Sequence, residues 1–211
     1  MERLPPRIRL PLAALGLAAL AVLAVAFADV PLARLIHAHG QPLAPMWLAI
    51  TEGFDAASGI DVARYFAGTV LIVAGLVAAA TPRLRSYAGP LWIVAATHLA
   101  ARLTTGPWKE LFGRLRPYQW FEAAQPAHTF FTPPGIAFPS GHVIYYLSLC
   151  LPLAIRFPRF RTLYLAIPVV LAITRIGAEQ HWIGDTIAAA AWVTFVTWVV
   201  GVVFERRLRR V

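Results

Sequence analysis

Residues 10–28 read LPLAALGLAALAVLAVAFA, a run without a single charge. A helix needs about 20 mostly apolar residues to cross a hydrocarbon core roughly 30 Å thick, and this run is long enough. Five further segments share its character: residues 62–80, 87–104, 142–156, 163–176 and 185–204, of which 142–156 and 163–176 are short by strict apolar count. Lipid cannot satisfy backbone N–H and C=O groups, so each segment is expected to close its hydrogen bonds internally as a helix. Barrel strands would alternate apolar and polar residues over about 10 positions, whereas these segments are apolar all round. The expectation is an all-α polytopic membrane protein, a six-transmembrane-helix bundle. No repeat or low-complexity linker divides it, so residues 1–211 read as one integral-membrane domain. Composition agrees. Apolar residues make up 59% of the 211 positions and charged residues 14%, against about 45–50% and 25% in soluble domains. Disorder and coiled-coil character are excluded, and a disulfide scaffold is excluded because Cys150 is the sole cysteine.

The net charge of +9 resembles a nucleic-acid signal, but its distribution argues for topology and anionic-lipid contact, with no nucleic-acid partner. Arg3, Arg7 and Arg9 precede the first segment. Arg83 and Arg85 separate the second from the third, and Arg156, Arg159 and Arg161 the fourth from the fifth. Arg206, Arg207, Arg209 and Arg210 follow the sixth. Every second connection is arginine-rich, which places both termini in the cytoplasm. The other connections carry Asp29, Glu52, Asp55, Asp61, Glu110, Glu122 and Glu179. Ala26-Phe27-Ala28 resembles a signal-peptide cleavage site, but the apolar run before it exceeds the usual 7–15 residues. An uncleaved first span is the expectation.

Two outward connections are not bland. The long one, residues 106–141, holds Lys109, Arg114, Arg116, Pro117 and Pro139-Ser140-Gly141-His142; the next holds Arg175, His181 and Asp185. Ionisable groups near a bilayer are costly and mark functional sites. Lys109, Arg116 and Arg175 offer three cations from separate segments. Arginine forks match phosphate oxygens and lysine acts as a point charge. Ser140 and Gly141 precede the expected start of a helix, where free N–H groups favour an anion and glycine lets the backbone come close. The three segments form a phosphate cradle that requires no metal. His181 and Asp185 are four apart, one turn on the same helical face. A carboxylate on one ring nitrogen fixes the tautomer and leaves the other nitrogen to attack, the arrangement of a nucleophile forming a covalent phosphoenzyme. His142 is placed to protonate the leaving alkoxide and then activate water. The remaining charges read more plainly. His37, His39, His98 and His128 are interfacial packing, Arg114 a snorkelling charge, and Arg34, Arg64 and Arg102 interfacial anchors. Glu52, Asp55 and Asp61 belong to a solvated loop or shape a substrate mouth.

Lys109-x6-Arg116-Pro117, Pro139-Ser140-Gly141-His142 and Thr174-Arg175-x5-His181-x3-Asp185 resemble the three motifs of the type 2 phosphatidic acid phosphatases, a superfamily that includes the vanadium haloperoxidases. The stretches lie at residues 109–117, 139–142 and 174–185, separated by about 22 and 32 residues. The one departure is Thr174, where the pattern usually has serine. The resemblance implies phosphate binding by Lys109, Arg116, Ser140, Gly141 and Arg175, with His142 as general acid, His181 as nucleophile and Asp185 as its orienting partner. It also implies no metal and no cofactor. Six-span bacterial relatives place such a site on the periplasmic face of the inner membrane, as the arginine distribution does here.

The substrate is expected to be a lipid phosphate that enters sideways from the bilayer. Family candidates are phosphatidate, phosphatidylglycerol phosphate, undecaprenyl diphosphate and lipid A phosphates. Tyr118, Trp120, Phe121, Phe130, Phe131 and Phe138 form either a lip against acyl or prenyl chains or an ordinary interfacial belt. Three alternatives stand beside the phosphatase: a vanadate-dependent haloperoxidase, a membrane anion or lipid transporter, and a non-catalytic relative. A transporter would place its site near the bilayer midplane between repeats. The charges here cluster at one end, and no repeat is present.

Overall fold

The computed structural model describes residues 6–63, 65–123 and 128–208. Arg3, Arg64, Arg209 and Arg210 lie outside them, and Arg7, Arg206 and Arg207 are described by backbone alone. Secondary structure among the described residues is helical: α1 (Pro6–Leu23), α2 (Asp29–His39), α3 (Ala44–Ser58), α4 (Phe66–Ala80), α5 (Arg85–Phe112), α6 (Pro117–Glu122), α7 (Gly141–Arg156), α8 (Arg161–Gly177) and α9 (Ile183–Leu208).

All six expected segments coincide with helices, residues 62–80 only from Phe66 onward, but their lengths differ from expectation. Among the described residues, three helical stretches are long and apolar enough to cross a membrane: Ile8–His39, Pro158–Gly177 and Ile183–Phe204. A fourth appears if Phe66–Ala80 and Pro82–Glu122, which meet at 116°, count as one broken span. The expected count of six therefore stands at three or four by length and composition. The reason is local. The α4 helix has 15 residues and α7 has 16, or about 22–24 Å at 1.5 Å per residue, short of a core roughly 30 Å thick. The first segment instead overruns. A π-helical turn, Ala24–Ala28, joins α1 to α2 without a break, because Asp29 is buried and paired rather than solvated.

The centre of the molecule is the contact of α5, α7 and α9. Ala101, Val143, Ile144, Leu147, Ala189 and Val193 form its buried core. Outside it, α1 lies along α9, α4 along α5 and α8 along α7, with α3 laid on α8. Small residues permit close approach: a Cβ at Gly75 would sit 3.2 Å from the Trp92 ring between α4 and α5. The outer faces stay apolar and exposed, including Leu15, Val22, Phe27, Leu76, Leu163 and Val169. Such faces would aggregate in water but suit lipid.

Two residues expected at the interface are internal. His98 is fully buried, with Nδ1 2.9 Å from Ser148 Oγ of α7. Arg102 is buried over the Tyr145 ring, 5.4 Å from its centroid.

Candidate active site

All three motif stretches meet at one end of the α5–α7–α9 core. The α5 helix stops because Gly113 adopts φ +47° and returns its N–H to the Lys109 carbonyl at 2.9 Å, a left-handed helix end suited to glycine. Arg116 is extended at ψ 157°, as a residue before proline prefers, and Pro117 opens α6. The second stretch is tied to the third through its backbone, since the Ser140 N–H donates to the Asp185 carbonyl at 3.1 Å. Lys109 faces the start of α7: a Cβ at Gly141 would lie 3.8 Å from Lys109 Nζ. Lys109 Nζ also donates to the Ile136 carbonyl at 2.6 Å.

Arg116 and Arg175 converge on one acceptor, the Gln180 side-chain oxygen. Arg116 Nη1 bonds it closely and Arg175 Nη2 lies 3.4 Å away. Gln180 sits inside the x5 spacer before His181, and no motif position marks it. Arg116 Nε, Arg175 Nε and Ser140 Oγ are buried without a hydrogen-bond partner among the described residues. Buried donors are seldom left so, and these three all belong to the expected cradle.

His181 and Asp185 do pair, with Nδ1 to Oδ2 at 3.3 Å, but not along one helical face. The α9 helix begins at Ile183, so His181 lies in the preceding turn and Asp185 in the first turn of the helix. Asp185 Oδ2 also accepts the Trp182 N–H at 3.0 Å, which closes the turn. A carboxylate only accepts, so Nδ1 carries the hydrogen and Nε2 is the free base. Burial pushes His181 down to about 4 against the opposing pull of Asp185, with Lys109 and Arg175 lowering it further. The ring is therefore neutral at ordinary pH.

Arg114 is not a snorkelling charge. It is 1% exposed and joins two buried carboxylates: Nη1 donates to Asp185 Oδ1 at 2.5 Å and Nη2 to Asp29 Oδ2 at 2.6 Å. Asp29 Oδ1 takes the Gly184 N–H at 2.8 Å. The Phe130 and Trp182 rings lie against the guanidinium, with centroids 4.3 and 5.0 Å from Cζ. Asp55 is buried, whereas Glu52 and Asp61 are exposed. His142 Nε2 stands 2.9 Å from Asp55 Oδ2, and the Tyr146 hydroxyl donates to Oδ1 at 2.8 Å. Burial would raise the Asp55 carboxyl, but His142, Tyr146 and Arg175 together hold it below its usual value. The Thr174 hydroxyl accepts from Thr51 of α3 at 2.9 Å. Arg34 lies 5.9 Å from the Trp120 ring centroid. His37 stacks on Phe121 and contacts Glu179 at 3.1 Å. Among the described residues no group of three His, Cys, Asp or Glu side chains is placed to hold a metal ion.

Such a helical core, with cations, carboxylate-paired histidines and three unpartnered donors at one end, offers an anion favourable contacts. Residues 90–209 match the model of the PAP2 superfamily. The chain belongs to that superfamily, the type 2 phosphatidic acid phosphatases. No curated protein and no solved structure matches it. Membership points to phosphatase chemistry on phosphate esters. The matched region contains every motif stretch but not α1 to α4, so Asp29 and Asp55 lie outside it.

Proposed function

We propose that the protein is a metal-independent lipid phosphate phosphatase acting through a phosphohistidine at the periplasmic face of a bacterial inner membrane. The observation that carries the reading is the set of unpartnered donors, Arg116 Nε, Arg175 Nε and Ser140 Oγ, beside Lys109 and Gly141. Phosphate oxygens satisfy all of them and neutralise the cations.

In the first step the His181 Nε2 lone pair attacks phosphorus opposite the leaving oxygen. The P–O bond breaks, its electron pair leaves on oxygen, and that oxygen takes a proton from His142. In the second step His142 takes a proton from water. The water oxygen attacks phosphorus, and the P–N electron pair returns to His181. Lys109, Arg116 and Arg175 stabilise the charge on the equatorial oxygens throughout.

A lipid tail has a place beside this site. A groove of about 740 Å³ runs between α1, α5 and α9, walled by Trp108, Phe112, Phe130, Phe138, Pro139 and Trp192. Trp108 adjoins Lys109 in the chain and Pro139 adjoins Ser140. The aromatic residues pack on one another, Phe112 lying 4.7 Å from Phe138 and Trp108 5.3 Å from Trp192 between centroids, as an amphipathic lip would. Six crossings in one domain over residues 1–211 fit if the short helices are flanked by thinner lipid or tilted neighbours. Arg83 and Arg159 lie in exposed turns and follow the positive-inside pattern.

The test is phosphate release by detergent-purified protein with EDTA present. The panel is phosphatidate, phosphatidylglycerol phosphate, undecaprenyl diphosphate and lipid A phosphates. Release from at least one is expected, falling by about 10³-fold or more in His181→Ala. Release that persists in His181→Ala would overturn the nucleophile assignment, and loss of release with EDTA the metal independence.

A further inference from the structure

We infer that Asp55 is a positioning residue for His142. It keeps a hydrogen on Nε2, so that Nδ1 alone exchanges protons with substrate and water. The inference rests on the reading of His142 as proton donor. It goes beyond that reading because α3 lies outside the matched region.

The geometry is specific. Asp55 Oδ2 is 2.9 Å from His142 Nε2, and a carboxylate partner requires the hydrogen on that nitrogen. Oδ1 is occupied by the Tyr146 hydroxyl at 2.8 Å, and that hydroxyl lies 3.0 Å from Ser58 Oγ. Both carboxylate oxygens are therefore held, and the carboxyl is kept ionised. The helix that carries Asp55 is itself fixed on α8. Trp47 closes over Gly177, where a Cβ would come within 2.6 Å of the indole, and Thr51 bonds Thr174.

The two histidines are thus held by opposite nitrogens. Asp185 takes Nδ1 of His181 and frees Nε2 to attack phosphorus. Asp55 takes Nε2 of His142 and frees Nδ1 for protons. The His181 side chain is 2% exposed and that of His142 25%, which suits a buried nucleophile and a group that must meet water. The acid form of His142 in this step is the imidazolium beside Asp55. Its Nδ1–H passes to the leaving oxygen as the P–O bond breaks, giving the alcohol and neutral His142. Nδ1 then takes a proton from the attacking water, which restores the imidazolium. Asp55 keeps its charge in both steps.

The experiment compares Asp55→Asn with wild type on two phosphomonoesters, a simple alkyl phosphate and p-nitrophenyl phosphate. The first releases a strongly basic oxygen that needs a proton; the second does not. General acid help is worth 10²–10⁴-fold, so kcat/KM for the alkyl ester should fall by about 10²-fold, and that for the nitrophenyl ester by less than about threefold. Turnover of the nitrophenyl ester shows that the variant is folded. Asp55→Glu should recover part of the loss, and Tyr146→Phe should show a weaker defect of the same kind. An equal loss on both esters, or none on either, overturns the proposal while leaving the phosphatase reading intact. Wild-type protein that melts cooperatively yet releases phosphate from neither ester nor any lipid of the panel overturns both.

Discussion

Arg114 shows how far a residue can lie from its apparent role. Its charge sits two positions before Arg116, and a long cation near an interface usually covers apolar surface with its head in water. The partner that changes this reading, Asp29, is 85 residues away, so no local pattern could expose the pair. Breaking a buried ion pair by removing one partner costs about 3–5 kcal/mol. Arg114→Met leaves two carboxylates unneutralised, and its thermal midpoint in detergent should fall by several degrees. Asp29→Asn should fall less, because Asp185 keeps its cation. His181 makes a separate prediction. An unfolded histidine takes its proton near 6.5, whereas folded His181 does so near 4. Between those values the unfolded state binds more protons. Stability from this group is complete above about pH 6.5 and drains away as the pH falls toward 4. The wild-type melting temperature should drop more steeply across that window than that of His181→Asn, and equal slopes would contradict the burial. That the three motif stretches belong to one candidate site was legible because each is short and chemically distinctive. Gln180, Asp29 and Asp55 were not, because each acts only through a residue distant in sequence or hidden in a spacer.

Hydropathy located each of the six apolar segments, since a helix covers most of every one. It did not locate their ends. The first helical run continues past Asp29 into α2 because a paired acid need not stop a helix. The α5 helix runs from Arg85 to Phe112 through Arg102 and Lys109, because buried aromatic rings and the start of α7 receive those cations. Hydropathy does not reveal α3: its polar residues read as a loop, yet Thr51, Asp55 and Ser58 reach α8 and α7. Contacts between elements depend on small residues as much as on large ones. Gly75→Leu would drive a side chain into Trp92, 3.2 Å from a modest Cβ. Overpacking of this kind costs about 1–3 kcal/mol, and the thermal midpoint in detergent should fall accordingly. An unchanged midpoint would mean that Trp92 has room to turn.

The whole molecule is polar along its long direction. The candidate site gathers at one end, and the exposed turns bearing Arg83 and Arg159 lie in the connections that alternate with it. The proposed orientation is open to direct labelling, because the sole native cysteine, Cys150, is buried and gives little background. A membrane-impermeant maleimide should label Glu52→Cys in intact cells. Leu84→Cys should react only after permeabilisation. The reverse pattern would invert the molecule and move the site to the cytoplasm.

The buried bridge from Asp29 through Arg114 to Asp185 also sets an order of events on the ribosome. Asp29 is made first, its cation follows 85 residues later, and the second acid 71 residues after that. Throughout that interval the nascent chain carries an acid at the end of its first apolar run with nothing to neutralise it. That acid must wait in a hydrated place, at the membrane surface or inside the insertion channel. The proposed anion cradle therefore closes only once α9 is made, after both of the other motif stretches.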